Sequence, residues 1–377
     1  MAKLNIKIPD CIKFNGYKPC YPYTVCYDEC KNPQPFGTRI LIICLEAMGA
    51  VLQTTAMLEG IKRKYPQSHI TWITLKNAIR LLDNNPLINS TLVWNSDSQL
   101  ILQQMKFDVL FSVDKTKHSC AFANIINSKE KYGFGLNENG TIIPFNSEAE
   151  YLYKLGLDDN LKFKENKKYG TELLQEAMGL KFVRDEYVIE LSDDENKFCR
   201  DYSETNIDKN KTIVGFNTGC SILFPNKKMT IHQHIYLIEK LSQNKKLQLV
   251  LVGGPEDAER NSMITERVGN KIINTPTTEG VRNGICYENI CDVIITGDSF
   301  GMHVAIGLKK YVIAWFGLSC WSEIDLYERG IKLIPNGLEC SPCWKRECPY
   351  DLECIQIIDL DKIISEVNNY AEKKLII

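Results

Sequence analysis

Three short glycine-bearing turns in the second half of the chain carry residues able to hold an anion. In Gly215-Phe216-Asn217-Thr218-Gly219-Cys220-Ser221, followed by Lys227 and Lys228, small residues let the backbone approach a diphosphate and the lysines supply charge. Leu251-Val252-Gly253-Gly254-Pro255-Glu256-Asp257 places paired glycines ahead of a carboxylate that can accept hydrogen bonds from ribose hydroxyls. In Ile294-Ile295-Thr296-Gly297-Asp298-Ser299-Phe300-Gly301-Met302-His303, Ser299 and the free N–H groups of a starting helix would face a phosphate, and His303 lies one turn in. Each turn also has a plain structural reading: a surface loop with solvated lysines, acids that complement a helix dipole, an Asp/Ser N-cap, a histidine satisfied in the core.

Eight of the fifteen cysteines fall into two groups. Cys11, Cys20, Cys26 and Cys30 lie near the N-terminus, and Cys340, Cys343, Cys348 and Cys354 near the other end, the first two of these forming a C-x2-C pair. Four thiolates can close a site around zinc, or hold iron or an iron–sulfur cluster, and the C-x2-C pair presents two sulfurs to one ion. Neither spacing is that of a standard zinc finger. Buried free thiols, or disulfides under oxidant, are the other readings, and whether each ion would draw on one group or on both is open.

The elements that must position these residues alternate. Arg39 to Cys44, His69 to Leu75 and Asp108 to Val113 read as strands, with a helical pattern over Val51 to Lys64 and another at Ala121 to Ile126. A polar stretch from about Gly135 to Lys211 precedes a second alternation: strands at Thr212 to Phe216, Leu247 to Val252, Val293 to Thr296 and Tyr311 to Phe316, helices at Ile231 to Ser242 and Met302 to Leu308, and an amphipathic helix at Leu360 to Ala371. Such alternation argues for parallel sheets with helical crossovers. A chain of 377 residues with 44% hydrophobic residues supports two cores. The expected division is a Cys-rich extension over 1–36, a Rossmann-like domain over 37–190 and a second over 191–377.

Lysine and arginine (45) nearly balance aspartate and glutamate (47), so nothing global draws the protein to nucleic acid or to an anionic membrane. Met1 to Asp10 lacks the apolar core of a signal peptide, and no apolar run reaches about 18 residues, so a cytoplasmic protein is expected. The first Gly turn has no G-x-G-x-x-G run, which disfavours a nicotinamide-dependent dehydrogenase.

The order of the three turns, continued by Tyr311-Val312-Ile313-Ala314-Trp315-Phe316-Gly317, resembles glycosyltransferase family 9, the ADP-heptose:lipopolysaccharide heptosyltransferases. Arg39 to Thr55 is similar to that family's first strand, Gly-containing loop and helix, and the C-terminal cysteines to its Cys-Ser-Pro-Cys and Glu-Cys-Pro segments. The resemblance implies an α/β GT-B fold, two Rossmann-like domains facing each other across a cleft, with the acceptor in the first and the nucleotide-sugar donor in the second. It assigns Ser221 and Lys227 to the diphosphate, Glu256 to the ribose, and Asp298, Ser299 and His303 to the last donor loop. Transfer would need no metal, any zinc or iron at the cysteines being structural.

One departure bears on activity. Where the family reads Gly-Asp-Val, its aspartate deprotonating the acceptor hydroxyl, this chain has Gly49-Ala50-Val51, and Cys44 stands in place of a common lysine. Alanine takes no proton. Either Glu46 on the same loop serves as the base of an inverting transferase, or the chain binds a nucleotide-sugar without transferring it, as a sensor or scaffold. The implied partners are an ADP-heptose donor and an acceptor left open among a lipid-linked saccharide, reached by peripheral association with the inner membrane face, a protein and a small molecule.

Overall fold

The computed structural model describes residues 6–27, 30 and 32–374. Two six-stranded sheets form its frame. The first contains β1 (Thr38–Ile43), β2 (Ser68–Thr74), β3 (Ser90–Val93), β4 (Lys106–Ser112), β5 (Asn127–Leu136) and β6 (Ile142–Pro144), in the order β3-β2-β1-β4-β5-β6. The second contains β7 (Thr212–Asn217), β8 (Leu247–Val252), β9 (Ile273–Asn274), β10 (Val293–Gly297), β11 (Tyr311–Trp315) and β12 (Gly330–Leu333), in the order β12-β11-β10-β7-β8-β9. Counted within its own sheet, the first order is 3-2-1-4-5-6, that of a dinucleotide-binding fold, and the second is the same arrangement listed from its other edge, with β9 outermost beside β8 and β12 outermost beside β11. All pairings are parallel except β5 with β6.

Central strands of such sheets are covered on both faces, so they read as continuous apolar runs. In β1, Ile40 through Ile43 are fully buried, and every residue of β7 and β10 is buried. All seven strands expected from apolar runs are present. The strands that apolar runs did not mark are short or peripheral: β5 begins as Asn-Ser-Lys-Glu-Lys with an outward face, and β9 has two residues.

In an open α/β sheet, ligands meet the carboxyl ends of the strands where the order reverses. That switch lies between β1 and β4 in the first sheet and between β7 and β10 in the second. The halves touch at these ends: the helix Met48–Thr54 after β1 packs on the helix Phe300–Gly307 after β10. A Cβ at Gly49 would stand 2.6 Å from His303 Cδ2, so glycine is what allows this approach. Residues of both halves, Val51 and Val304 among them, share one buried apolar cluster. The Cys-rich extension is tied down by Ile12 N–H donating to Gln34 O at 2.8 Å and by an Asp10–Arg39 ion pair at 3.0 Å. Among the described residues no helix is long and apolar enough to cross a membrane.

Candidate functional site: two polar clusters at the sheet switch points

The second sheet brings the ends of β7, β10 and β11 together. Lys227 Nζ lies 2.6 Å from Asp298 Oδ2, both side chains 13% exposed. Trp315, at the end of β11, donates from its indole to Lys227 O at 2.9 Å and so fixes the lysine's backbone. Burial pushes the Asp298 carboxyl up, but Lys227, with a smaller contribution from His303, outweighs it and holds the group below the usual carboxylate range. Ser299 caps the helix Phe300–Gly307, its Oγ accepting from Met302 N–H at 3.3 Å and from the Asn217 amide at 2.9 Å. This helix start therefore has one donor already paired with its cap, out of the first-turn N–H groups that lack a partner within the helix.

Next to this pair, the end of β8 folds over a buried acid. Asp257 Oδ2 accepts from Gly254 N–H at 3.1 Å, and Lys228 Nζ stands 3.7 Å from its other oxygen. A Cβ at Gly219 would run into this carboxylate, which accounts for the glycine in the first turn. Thr218 donates to Asn261 Oδ1 at 2.6 Å beneath the same turn. Glu256 is exposed at the mouth of this loop, and Ser221 is exposed in a turn where its Oγ accepts from Leu223 N–H at 3.3 Å. Ser221, Lys227, Glu256, Asp298 and Ser299 thus all lie at the strand ends of the second sheet.

His303 lies at the seam of the halves. Its Nδ1 is 3.3 Å from Tyr187 Oη, the two rings stacked at 5.9 Å. Burial pushes the imidazole down to about 4, with Asp298 opposing and Lys227 reinforcing, so at neutral pH it is an uncharged hydrogen-bonding group.

Across the seam, the loop after β1 carries Glu46. Ala47 takes a left-handed φ of 52°, unusual for alanine, to turn the chain into the helix Met48–Thr54. Glu46 Oε1 is 3.4 Å from His118 Nε2, both side chains about half exposed (49% and 48%). His118 sits on the helix Lys117–Ile125 after β4, its ring 5.8 Å from that of Trp94. Asp114 lies below them, accepting from Leu45 N–H at 2.5 Å. Burial pushes the Asp114 carboxyl up to about 7; backbone N–H donors oppose the rise and the charge of Glu46 adds to it. Cys44 is fully buried, its thiol pushed well up by burial, and it donates to Thr54 Oγ1 at 3.6 Å. It serves as a packed neutral group where the family's lysine would be a cation.

Two sheets of this order meet at their switch points, with a polar cluster at each. The profile of glycosyltransferase family 9 (heptosyltransferase) matches residues 101–353. The chain belongs to glycosyltransferase family 9. Similarity to this family extends to the lipooligosaccharide heptosyltransferase 2 of Campylobacter jejuni, 25% identical over 167 residues, which are 43% of this chain and 52% of that one. The tRNA 2-agmatinylcytidine synthetase TiaS of Methanococcus voltae is 26% identical over 271 residues, 61% of this chain and 50% of that one. The chain therefore spans about half the length of these curated relatives.

Among solved structures, the family 9 fold recurs in the E. coli ADP-heptose lipopolysaccharide heptosyltransferase II, with a TM-score of 0.67 at 16% identity, over 89% of this chain and 99% of that one. The iron-containing dodecameric glycosyltransferase TibC of enterotoxigenic E. coli has a TM-score of 0.53 at 12% identity, over 90% of this chain and 77% of that one. The expected GT-B architecture of two Rossmann-like domains is the one this family 9 chain adopts.

In this family 9 chain all fifteen cysteines are free thiols. Cys340, Cys343, Cys348 and Cys354 line one small cavity of about 30 Å³, and the first three bear electrostatically on Cys354. Cys11, Cys20 and Cys30 likewise bear on Cys26. Yet among the described residues no group of three or more Cys, His, Asp or Glu is set to hold a metal ion. The donor types suit zinc or iron; their placement here does not form a closed site.

Sequence reading missed Asp114 and His118 because they follow β4, which carries no glycine motif; their polar types just past an apolar run were the available signal. It also passed over Asn217 and Asp257, which stand inside the turns it singled out.

Proposed function

We propose that the chain is an inverting glycosyltransferase that moves a heptose, or a related sugar, from ADP-heptose to an acceptor hydroxyl. Residues 191–377 form the donor half and 37–190 the acceptor half in this reading. The observation that carries it is the placement of two polar clusters at the two switch points, facing one another across the Gly49–His303 contact.

The donor's diphosphate rests on Lys227 and the N–H groups at Ser299, with Ser221 on its outer side and Glu256 available to ribose hydroxyls. The acceptor oxygen attacks the anomeric carbon, forming the new glycosidic C–O bond as the C–O bond to phosphate breaks. The electron pair leaves with ADP, where Lys227 and the helix start stabilise its charge. The acceptor's proton passes to Glu46, whose neighbour His118 can take it onward. His303, uncharged, offers a hydrogen bond at the seam without adding charge. No step here requires a metal. Similarity to heptosyltransferases supports the choice of ADP-heptose. A saccharide acceptor carried on lipid would be met by peripheral association at the inner membrane face, with the protein cytoplasmic.

Ala50 favours a second reading, binding without transfer. Calorimetry and turnover separate the two: the transferase is expected to bind ADP and to release ADP from ADP-heptose when a saccharide acceptor is added. Tight ADP binding with no release on any acceptor selects the binding protein, and indifference to ADP removes both. A structural zinc or iron at Cys340, Cys343, Cys348 and Cys354, and another at Cys11, Cys20, Cys26 and Cys30, is the further proposal that thiol chemistry supports. Elemental analysis after anaerobic purification is expected to find metal, and a chain free of both metals ends that proposal.

A further inference from the structure

Beside the Lys227–Asp298 pair stands a set of residues that phosphate binding and proton transfer leave without a part. Trp344, next to Cys343, is 45% exposed although its backbone is held firmly, its N–H donating to Leu318 O at 2.9 Å beside the Cys343 N–H, which donates there at 3.0 Å. The Asn226 amide donates to Lys345 O at 2.9 Å, binding the same loop to the turn that carries Lys227. A large apolar ring on a held backbone, left partly open, is a surface available for contact.

Its neighbours say what kind. The Trp344 ring lies 5.1 Å from that of Phe224, with Lys227 Nζ 4.8 Å from its centre. From the first half, Lys162 Nζ approaches the same ring at 5.4 Å and stands 3.9 Å from Glu323 Oε1. Glu323 ends the short turn Trp321–Glu323 after β11. Burial raises its carboxyl, Lys162 and Lys115 oppose this, and Asp298 is near enough to push it further up. Moving outward from the Lys227–Asp298 pair, a ligand therefore meets an aromatic face, an acid and an amine.

We infer that Trp344, Glu323 and Lys162 form the subsite for the donor's sugar ring. This inference rests on the donor reading above and deepens it. The sugar of a nucleotide-sugar is bonded to the outer phosphate, so it must lie beside the lysine that grips that phosphate, and Trp344 is an aromatic ring in contact with Lys227. The C–H face of the sugar stacks on the indole, Glu323 accepts from its hydroxyls and Lys162 donates to them, the pattern of an apolar wall with a few orienting polar groups. Glu323 and Lys162 come from opposite halves, so the sugar would be enclosed only where the halves meet.

The test compares ADP with ADP-heptose by calorimetry on the full chain and on Trp344→Ala, Trp344→Phe and Glu323→Gln. Trp344→Ala and Glu323→Gln are each expected to weaken ADP-heptose about tenfold or more while leaving ADP within about twofold, and Trp344→Phe to keep most of the sugar's contribution. If both ligands weaken equally, these residues merely brace Lys227, and if neither weakens, the sugar lies elsewhere; both results overturn the inference. A wild-type chain that ignores ADP fails at the donor reading itself, a distinct result from one that binds ADP and fails only in the sugar arm.

Discussion

Glu46→Gln is expected to lower turnover of the donor by roughly 10²–10⁴-fold, the usual contribution of a positioned general base, while ADP affinity stays unchanged. The prediction follows from where the carboxylates after β1 and β4 stand. Asp114 is buried and already accepts from Leu45 N–H, so its part is to hold the loop after β1 in shape. Glu46 is the acid that this loop exposes, and His118 stands 3.4 Å away to relay the proton. Ala50 leaves the first turn of the helix Met48–Thr54 without a carboxylate, so nothing there duplicates Glu46. Single-turnover measurement of ADP release, with ADP titrated separately, checks both halves of the expectation. Undiminished release by Glu46→Gln would remove Glu46 from the chemistry; equal loss of ADP binding would make it a structural residue.

How much of this could be read from residues alone depended on how each element is buried. β1, β7 and β10 run through the middle of their sheets, covered on both faces, and their apolar runs announced them. β5 reaches the sheet margin with Asn127, Lys129 and Glu130 exposed, so its composition is that of a loop and only pairing with β4 makes it a strand. The glycine turns of the second half were legible because close backbone approach needs glycine, and Gly219, pressed against Asp257, shows that need directly. The partners of those loops were not. Whether Glu256 or Asp257 turns inward depends on a half-turn of backbone after Pro255, and Lys227 and Asp298 are 71 residues apart in the chain. The Glu46–His118 contact likewise exists only because β1 and β4 are neighbours across the switch point. Cysteine spacing marks which thiols are close in sequence, but a metal site requires their sulfurs to converge on one point, which spacing does not encode.

Lys227→Met is expected to weaken ADP binding by about 100-fold or more, from two losses that act together. A charge-assisted contact to a phosphate contributes about 1.5–3 kcal/mol, and that contact disappears. The change also leaves Asp298 without its cation, 2.6 Å away in the native protein, so a largely buried carboxylate faces the incoming diphosphate. The second loss can be separated from the first, because Asp298→Asn in the Lys227→Met background removes the repulsion and should recover part of the affinity. Protonation should do the same. In the native chain burial raises the Asp298 carboxyl, but Lys227 and His303 hold it below its ordinary range, so it stays ionised through mildly acidic pH. Without Lys227 burial dominates, the carboxyl rises, and lowering the pH neutralises it, so ADP affinity of Lys227→Met should climb as pH falls while the native chain gains nothing from this group. Titrating ADP into both proteins across mildly acidic pH reads the effect. A variant whose deficit is the same at every pH would mean that Asp298 does not face the phosphates, and a variant with native affinity would mean that Lys227 does not hold them.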